Sequence, residues 1–89
     1  MNQNSDTDRY LEVLRQAIID VLQCDISELH LDTAIEGDLG ADSLDAYQIL
    51  AIVQEELGIE LETDRVEEIV TIEDALNLIC ESADEGVGA

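Results

Sequence analysis

The chain has 89 residues, of which 23 are acidic and only three are basic, so its formal charge at pH 7 is −20. That length suits one small domain. A surface this negative repels nucleic acid and anionic membranes, which argues against both as partners and favours basic patches on other proteins. Phenylalanine, tryptophan and proline are absent, whereas leucine, isoleucine, valine and alanine are plentiful, and this composition favours helices. We expect a monomer.

No segment is long and apolar enough to cross a bilayer, and the polar start of the chain lacks the pattern of a signal peptide. We therefore expect a cytoplasmic protein. Cys24 and Cys80 do not have the spacing of a metal site, so we expect reduced thiols and no metal. The single histidine, His30, falls in a polar stretch and is expected to be solvated or locally hydrogen-bonded.

The first half of the chain predicts one helix followed by a long loop. Residues 1–6 are expected to be disordered, with Asp6, Thr7 or Asp8 capping an amphipathic helix that ends near Gln23. Its apolar stripe is Leu11, Leu14, Ile18 and Val21. One short turn is predicted over 26–29, and residues 30–42 form a loop. The residues expected to anchor that loop are Leu31, Ile35 and Leu39.

The segment 43–57 predicts a helix with apolar residues on two sides. Asp42 is the expected N-cap, and Asp45 falls in the first turn. The core-facing stripe is Ala46, Ile49, Leu50, Val53 and Leu57, and the second stripe is Leu44, Tyr47 and Ala51. Either a neighbouring helix covers the second stripe or a partner protein does. We favour a partner, because so short a chain cannot easily surround the helix.

The last third predicts a short helix and a final long one. Gly58 ends the preceding helix, residues 59–62 are an extended linker, and 64–69 form a short helical turn. Val66, Ile69 and Val70 are expected to face inward. Thr71, with Asp74 three residues on, is the expected cap of the last helix.

The predicted fold is therefore all-α: a small four-helix bundle of three main helices and one short helix, with a long loop between the first two. The bundle spans 7–81, and residues 82–89 are expected to be a disordered tail.

The stretch Gly37-Asp38-Leu39-Gly40-Ala41-Asp42-Ser43-Leu44 carries the functional signal. The two glycines allow a tight approach to the helix, and Ser43 falls in its first turn. Backbone N–H groups and the helix dipole favour negative charge there. An attached phosphate would therefore be electrostatically favoured on this serine.

The run from Asp38 to Asp45 resembles the attachment motif of acyl carrier proteins, and the resemblance extends from the first helix to Ile79. It implies that Ser43 carries a covalent 4′-phosphopantetheine transferred from coenzyme A. The arm would hold an acyl group as a thioester for enzymes of fatty-acid or related polyketide, lipid or secondary biosynthesis. The protein itself would not be an enzyme.

The resemblance also implies partners and further site residues. The partners would be a phosphopantetheinyl transferase, an acyltransferase and a ketosynthase or acyl-loading enzyme with basic docking patches. The implied docking residues are Asp38, Asp42, Leu44, Asp45, Tyr47, Gln48, Ala51 and Glu55. The implied lining of an acyl pocket is Ile49, Leu50, Val53, Leu57, Ile69 and Leu76.

Several positions depart from the pattern of fatty-acid synthesis carriers. Gln48 and Gln54 replace glutamates, Tyr47 replaces an aliphatic residue, and Ala51 replaces a methionine. We therefore expect a specialised carrier outside the housekeeping fatty-acid cycle.

Three other functions are compatible with part of this sequence pattern. A hydrolase with Ser43 as nucleophile would need a base, and His30 is the only histidine that could serve. The sequence around Ser43 also lacks the Gly-x-Ser-x-Gly motif of a nucleophile elbow. A calcium-binding or acidic helical interaction module would share the size and charge, but the calcium-loop ligand pattern is missing around Asp38. A carrier of aminoacyl or peptidyl cargo remains the main alternative.

Overall fold

The computed structural model describes the backbone of residues 3–88 and the side chains of residues 7–62 and 64–83. Three α-helices make up most of it: α1 (Gln3–Leu22), α2 (Ser43–Leu57) and α3 (Ile72–Gly88). Two short 3-10 helices, Ile26–Glu28 and Thr63–Glu68, precede α2 and α3 respectively. Across residues 3–88 there is no β-strand, only an isolated bridge between Ala34 and Thr71. The all-helical prediction is therefore confirmed.

One aliphatic core joins the three helices. Helix α1 packs mainly against α2 and also against α3. The core residues come from the predicted stripes of each helix: Leu14 and Ile18; Ile49, Leu50 and Val53; and Ile72, Leu76 and Ile79. Burying branched aliphatic side chains stabilises by about 1.5–3 kcal/mol each, which makes this core the main stabilising feature of so small a domain. No helix in the described part of the chain is long and apolar enough to span a membrane.

Both terminal helices are longer than predicted. Helix α1 begins at Gln3, so residues 3–6, expected to be disordered, are helical, and Asp6, Thr7 and Asp8 lie inside the helix rather than capping it. No glycine or proline interrupts this region, and carboxylates in the first turns favour a helix. Residues 82–88 were also expected to be disordered but continue α3. Ala83 is buried there, so the helix gains a tertiary contact past its predicted end.

Main-chain hydrogen bonds attach the segment between the first 3-10 helix and α2 to the start of α3. The N–H of Ile35 donates to the carbonyl of Val70 at 2.9 Å, and the N–H of Ile72 donates to the carbonyl of Thr33 at 3.1 Å. Thr33 is buried, and its hydroxyl donates to the carbonyl of Glu28 at 3.0 Å and accepts from the N–H of His30 at 2.9 Å. This segment is therefore held in place before it reaches Ser43.

Leu31 was expected to anchor the loop and Val70 to face inward, but both side chains are exposed. Leu31 is 42% exposed and Val70 is 58% exposed, whereas Ile35 is buried and Leu39 is half-buried. The predictions for Leu31 and Val70 were wrong because these two residues contact the neighbouring segment through their backbone groups and not through their side chains. Backbone hydrogen bonds cannot be recognised from the pattern of apolar side chains. The carbonyl of Leu31 accepts from the N–H of Glu73 at 2.9 Å.

Helix α3 starts in the predicted reciprocal cap. The hydroxyl of Thr71 accepts from the N–H of Asp74 at 3.2 Å. In return the Asp74 carboxylate accepts from the N–H of Thr71 at 3.1 Å and from the N–H of Val70 at 3.0 Å. These hydrogen bonds lower the pKa of the Asp74 carboxyl below its ordinary value, and the bond from the N–H of Thr71 has the largest effect.

Replacing Asp74 by asparagine should lower the free energy of unfolding by about 1 kcal/mol at pH 7, because hydrogen bonds to a charged acceptor become bonds to a neutral one. A carboxyl whose pKa is lower in the folded state contributes its stability above its unfolded pKa of about 3.9 and loses it as the pH falls through the folded pKa. The difference between the two proteins should therefore shrink below about pH 4. Urea unfolding from pH 7 downward measures it, and a constant difference would contradict the account.

Candidate functional site

Ser43 is the first residue of α2, and its side chain is exposed. The helix begins in a reciprocal cap: the Asp42 carboxylate accepts from the N–H of Asp45 at 2.9 Å, and the Asp45 carboxylate accepts from the N–H of Asp42 at 3.2 Å. The predicted N-cap is confirmed. The serine hydroxyl is thus presented to solvent at the positive end of a firmly started helix.

The approach to Ser43 is fixed by the loop before it. Gly40 has φ +75°, a conformation that other residues rarely adopt, so the predicted need for glycine holds at this position. Ala41 is buried, and its N–H donates to the carbonyl of Ile35 at 3.2 Å. Asp38 is exposed, but its carboxylate accepts from the N–H of Ala34 at 2.9 Å. Part of the hydrogen-bonding capacity of Asp38 therefore serves the loop itself.

The second apolar stripe of α2 is open to solvent, as the sequence analysis favoured. Leu44 is 72% exposed and Tyr47 is 41% exposed. We call the following set the partner face: Asp42, Leu44, Asp45, Tyr47, Gln48, Ala51 and Glu55. All of these side chains are exposed except that of Asp45, which is half-buried. The partner face therefore has apolar and uncharged residues in its middle and carboxylates at both ends.

A small apolar cavity lies between α2 and α3. Its volume of about 10 Å³ is room for roughly one water molecule. Three predicted lining residues border it, namely Ile49, Leu50 and Ile69. The other three, Val53, Leu57 and Leu76, pack in the adjoining core but do not line it.

The other lining residues, Ile35, Ala46 and Ala75, were missed. Small side chains on core-facing stripes could have indicated Ala46 and Ala75, because they leave space where larger residues would fill it. Nothing in the sequence places Ile35 here, because it comes from the loop.

The alternative functions, catalysis and metal binding, depend on the histidine, cysteine and acidic side chains. His30, the chain's one histidine, has an exposed side chain. Among the described residues, no group of three or more histidine, cysteine or acidic side chains could hold a metal ion. Cys24 is half-buried, and burial, followed by the negative charge of Glu28, raises the pKa of its thiol. A raised pKa disfavours the reactive thiolate.

Comparison with known proteins gives one consistent answer. Residues 12–79 match the family described as "Phosphopantetheine attachment site". The chain is 35% identical to an acyl carrier protein of Petrotoga mobilis over 74 residues, which is 83% of this chain and 87% of the relative. It is 35% identical to an acyl carrier protein of Treponema pallidum over 66 residues, which is 74% of this chain and 85% of the relative. It is 34% identical to an acyl carrier protein of Solidesulfovibrio magneticus over 68 residues, which is 76% of this chain and 87% of the relative.

The chain belongs to the acyl carrier protein family. Acyl carrier proteins are not enzymes: they carry acyl groups on a covalently attached 4′-phosphopantetheine and interact with acyl-handling enzymes. The exposed serine and the capped helix are consistent with that role.

Gln54, one of the two glutamines that stand where fatty-acid synthesis carriers have glutamates, has a structural contact in this acyl carrier. Its side-chain oxygen accepts from the N–H of Leu61 at 2.7 Å, and Leu61 is buried. The bond joins the last turns of α2 to the extended linker before the second 3-10 helix. Gln54 is thus positioned to support the fold, and its identity carries less information about partners than that of Gln48.

Replacing Gln54 by leucine should lower the free energy of unfolding by about 1–2 kcal/mol, because the part-buried N–H of Leu61 loses its acceptor. Gln54→Glu supplies an equivalent oxygen and should retain most of that stability at high ionic strength, where charge repulsion is screened. Chemical denaturation of both variants measures the difference. Equal losses in both variants would contradict a role for the hydrogen bond.

Proposed function

We propose that Ser43 is the residue that carries the 4′-phosphopantetheine of this acyl carrier protein. The observation that supports this most is the exposed hydroxyl of Ser43 on the first residue of the capped helix α2. When bound, the cofactor supplies a terminal thiol that carries an acyl group as a thioester between enzymes of fatty-acid or related biosynthesis.

The residues around Ser43 suit a phosphodiester there. The start of a helix favours a negative group by about 0.3–1 kcal/mol, and N–H groups in the first turn have no partner within the helix. The carboxylates of Asp42 and Asp45 oppose an added phosphate, but each already accepts a backbone hydrogen bond. In the loading step, the Ser43 oxygen forms a bond to the diphosphate phosphorus of coenzyme A that carries the pantetheine arm, and the P–O bond between that phosphorus and the adenosine-side phosphate breaks. Adenosine 3′,5′-bisphosphate leaves, and the hydroxyl proton goes to a base on the transferase.

We propose that the cavity between α2 and α3 is the beginning of the acyl site. At about 10 Å³ it cannot hold an acyl chain as it stands, so Ile69 and Ala75 must move away from Ile49 and Leu50. Val53, Leu57 and Leu76 would line a longer chain, since they belong to the same core. In this proposal the second 3-10 helix serves as the short fourth helix of the bundle, and the segment before α2 is its long loop.

We propose the partner face, together with Asp38, as the surface that the transferase and the acyl-handling enzymes bind. Leu44 projects an apolar side chain that a partner can bury. Carboxylates at the two ends of the face would pair with basic residues on an acyltransferase or a ketosynthase. The uncharged Gln48 and the aromatic Tyr47 support a specialised carrier, so a housekeeping ketosynthase should elongate it more slowly than the principal carrier of the same cell.

The test of the attachment proposal is loading in vitro. The purified protein, incubated with coenzyme A and a phosphopantetheinyl transferase, should gain the mass of one phosphopantetheine. With acetyl-coenzyme A it should gain one acetylated arm. Lack of any modification by transferases of both fatty-acid and secondary-metabolism type would contradict the proposal. A transferred aminoacyl group, supplied by an adenylating enzyme in preference to an acyl group, would favour the aminoacyl alternative. The cytoplasmic location stays a prediction.

A further inference from the structure

A groove between α1 and α2 is far larger than the cavity between α2 and α3. Its volume is about 520 Å³, which lies in the size range of binding clefts in proteins. Val13, Ala17 and Ile52 supply its apolar part, and Ala17 is completely buried. The remaining lining residues are Arg9, Glu12, Gln16, Asp20 and Glu56. None of the eight belongs to the partner face or to the small cavity.

The residues of α1 lie in two rows along the groove. Glu12, Gln16 and Asp20 are four residues apart in sequence, so they follow one side of the helix, and Arg9, Val13 and Ala17 form the neighbouring row. At 1.5 Å per residue each row extends for about 12 Å, or roughly two helical turns. The rows and the two residues of α2 make an elongated apolar trough bordered by polar side chains.

Charge decides which occupant suits this trough. Three carboxylates and one guanidinium line it, in a protein of net charge −20. A second copy of the chain would bring the same excess of negative charge, and nucleic acid or an anionic lipid surface would be repelled as well. A positively charged segment is attracted, and apolar residues on that segment would cover Val13 and Ile52.

We propose that the α1–α2 groove binds a basic amphipathic helix of a partner protein, at a surface separate from the partner face. An apolar stripe at helical spacing would lie in the trough, as amphipathic helices do in the grooves of other proteins. Lysine or arginine residues on its flanks would meet Glu12, Asp20 and Glu56. The groove would let the carrier be held by one protein while the partner face stays available to an enzyme.

A designed peptide tests the proposal on the unmodified protein, so the result does not depend on attachment at Ser43. The probe is a leucine–lysine peptide of about four helical turns with leucine at helical spacing. A scrambled peptide of the same composition is the control. Binding is measured by backbone amide chemical shifts and by calorimetry. We expect shift changes centred on Val13, Gln16 and Ile52, and clearly weaker binding of the scrambled peptide.

Two matched variants locate the site. Gln16→Trp would fill the groove and should weaken binding about tenfold, the equivalent of 1.4 kcal/mol. Gln48→Trp makes the same change on the partner face and should leave binding unchanged. Both glutamines are exposed on helices, so both variants should fold. Gln16→Arg should also weaken binding, because its positive charge repels the lysines of the peptide. Glu12→Gln with Glu56→Gln should weaken binding more than Glu60→Gln with Glu67→Gln, which removes equal charge from exposed sites outside the groove.

Several outcomes would overturn the proposal. They are no binding of the leucine–lysine peptide, equal binding of the scrambled peptide, shift changes centred on Leu44 and Tyr47, and equal effects of the two double variants. Concentration-dependent shifts in the groove together with a dimer in sedimentation would assign the groove to a second copy instead.

Discussion

Replacing Leu50 by alanine should lower the free energy of unfolding by about 2–5 kcal/mol, whereas the same replacement at Leu44 should change it by less than about 0.5 kcal/mol. The two leucines lie in the same helix, but Leu50 is 1% exposed and Leu44 is 72% exposed. Truncating Leu50 removes buried apolar contacts and enlarges the cavity that it lines. Urea denaturation of both variants at the same salt concentration measures the difference.

In a binding assay the order of the two effects should be reversed, with the larger loss of affinity in Leu44→Ala. Leu44→Ala removes an exposed apolar group from the partner face and should weaken binding to the transferase by about 1–2 kcal/mol, or roughly tenfold. Leu50→Ala, studied at a temperature where it is folded, should bind almost normally. Similar losses of stability in the two variants would contradict the exposed position of the Leu44 side chain. Equal binding by both would argue against Leu44 as a docking residue.

Replacing Ser43 by alanine should abolish loading by a phosphopantetheinyl transferase while leaving the fold intact. The exposed hydroxyl is the only group that the change removes, and alanine suits the first turn of a helix. The expected result is no mass gain under conditions in which the unaltered protein is completely modified. Circular dichroism and the urea midpoint should match those of the unaltered protein.

Ser27 provides the matched control. It is exposed in the first 3-10 helix, outside the capped start of α2. Ser27→Ala should be loaded at the normal rate. If Ser43→Ala were still modified, the attachment site would lie elsewhere, and the argument from helix position would fail.

The sequence was sufficient to predict features that depend on neighbouring residues. The cap of α2 by Asp42 and Asp45 follows from two residues three apart, and the cap of α3 by Thr71 and Asp74 follows in the same way. The two apolar stripes of α2 follow from helical spacing, and the structure buries Leu50 while it exposes Leu44. These features could be predicted because each is decided within about two helical turns.

Features that depend on distant contacts could not be predicted. The pairing of residues 33–35 with residues 70–72 is made by backbone groups, so the exposure of Leu31 and Val70 came as a correction. The start of α1 was predicted too late in the chain and the end of α3 too early, because marginal helical segments depend on tertiary contacts such as that of Ala83. The cavity lining was half predicted, since Ile35 reaches it from a loop.

The negative charge of the protein gives the two proposed surfaces different selectivity. On the partner face, carboxylates stand at the ends of an uncharged middle, so an apolar contact can dominate once charge has steered the encounter. In the α1–α2 groove, carboxylates border the apolar trough along its length, and a partner would need cations on both flanks. Raising the salt concentration should therefore weaken binding at the groove more than at the partner face.

Peptide mapping of the loaded protein tests the central claim most directly. Cleavage after glutamate releases the peptide 37–55, in which Ser43 is the only serine and there is no threonine. After reaction with coenzyme A and the transferase, this peptide alone should carry the added phosphopantetheine, and fragmentation should place it on Ser43. An unmodified 37–55 peptide from a protein that has gained the arm elsewhere would contradict the account.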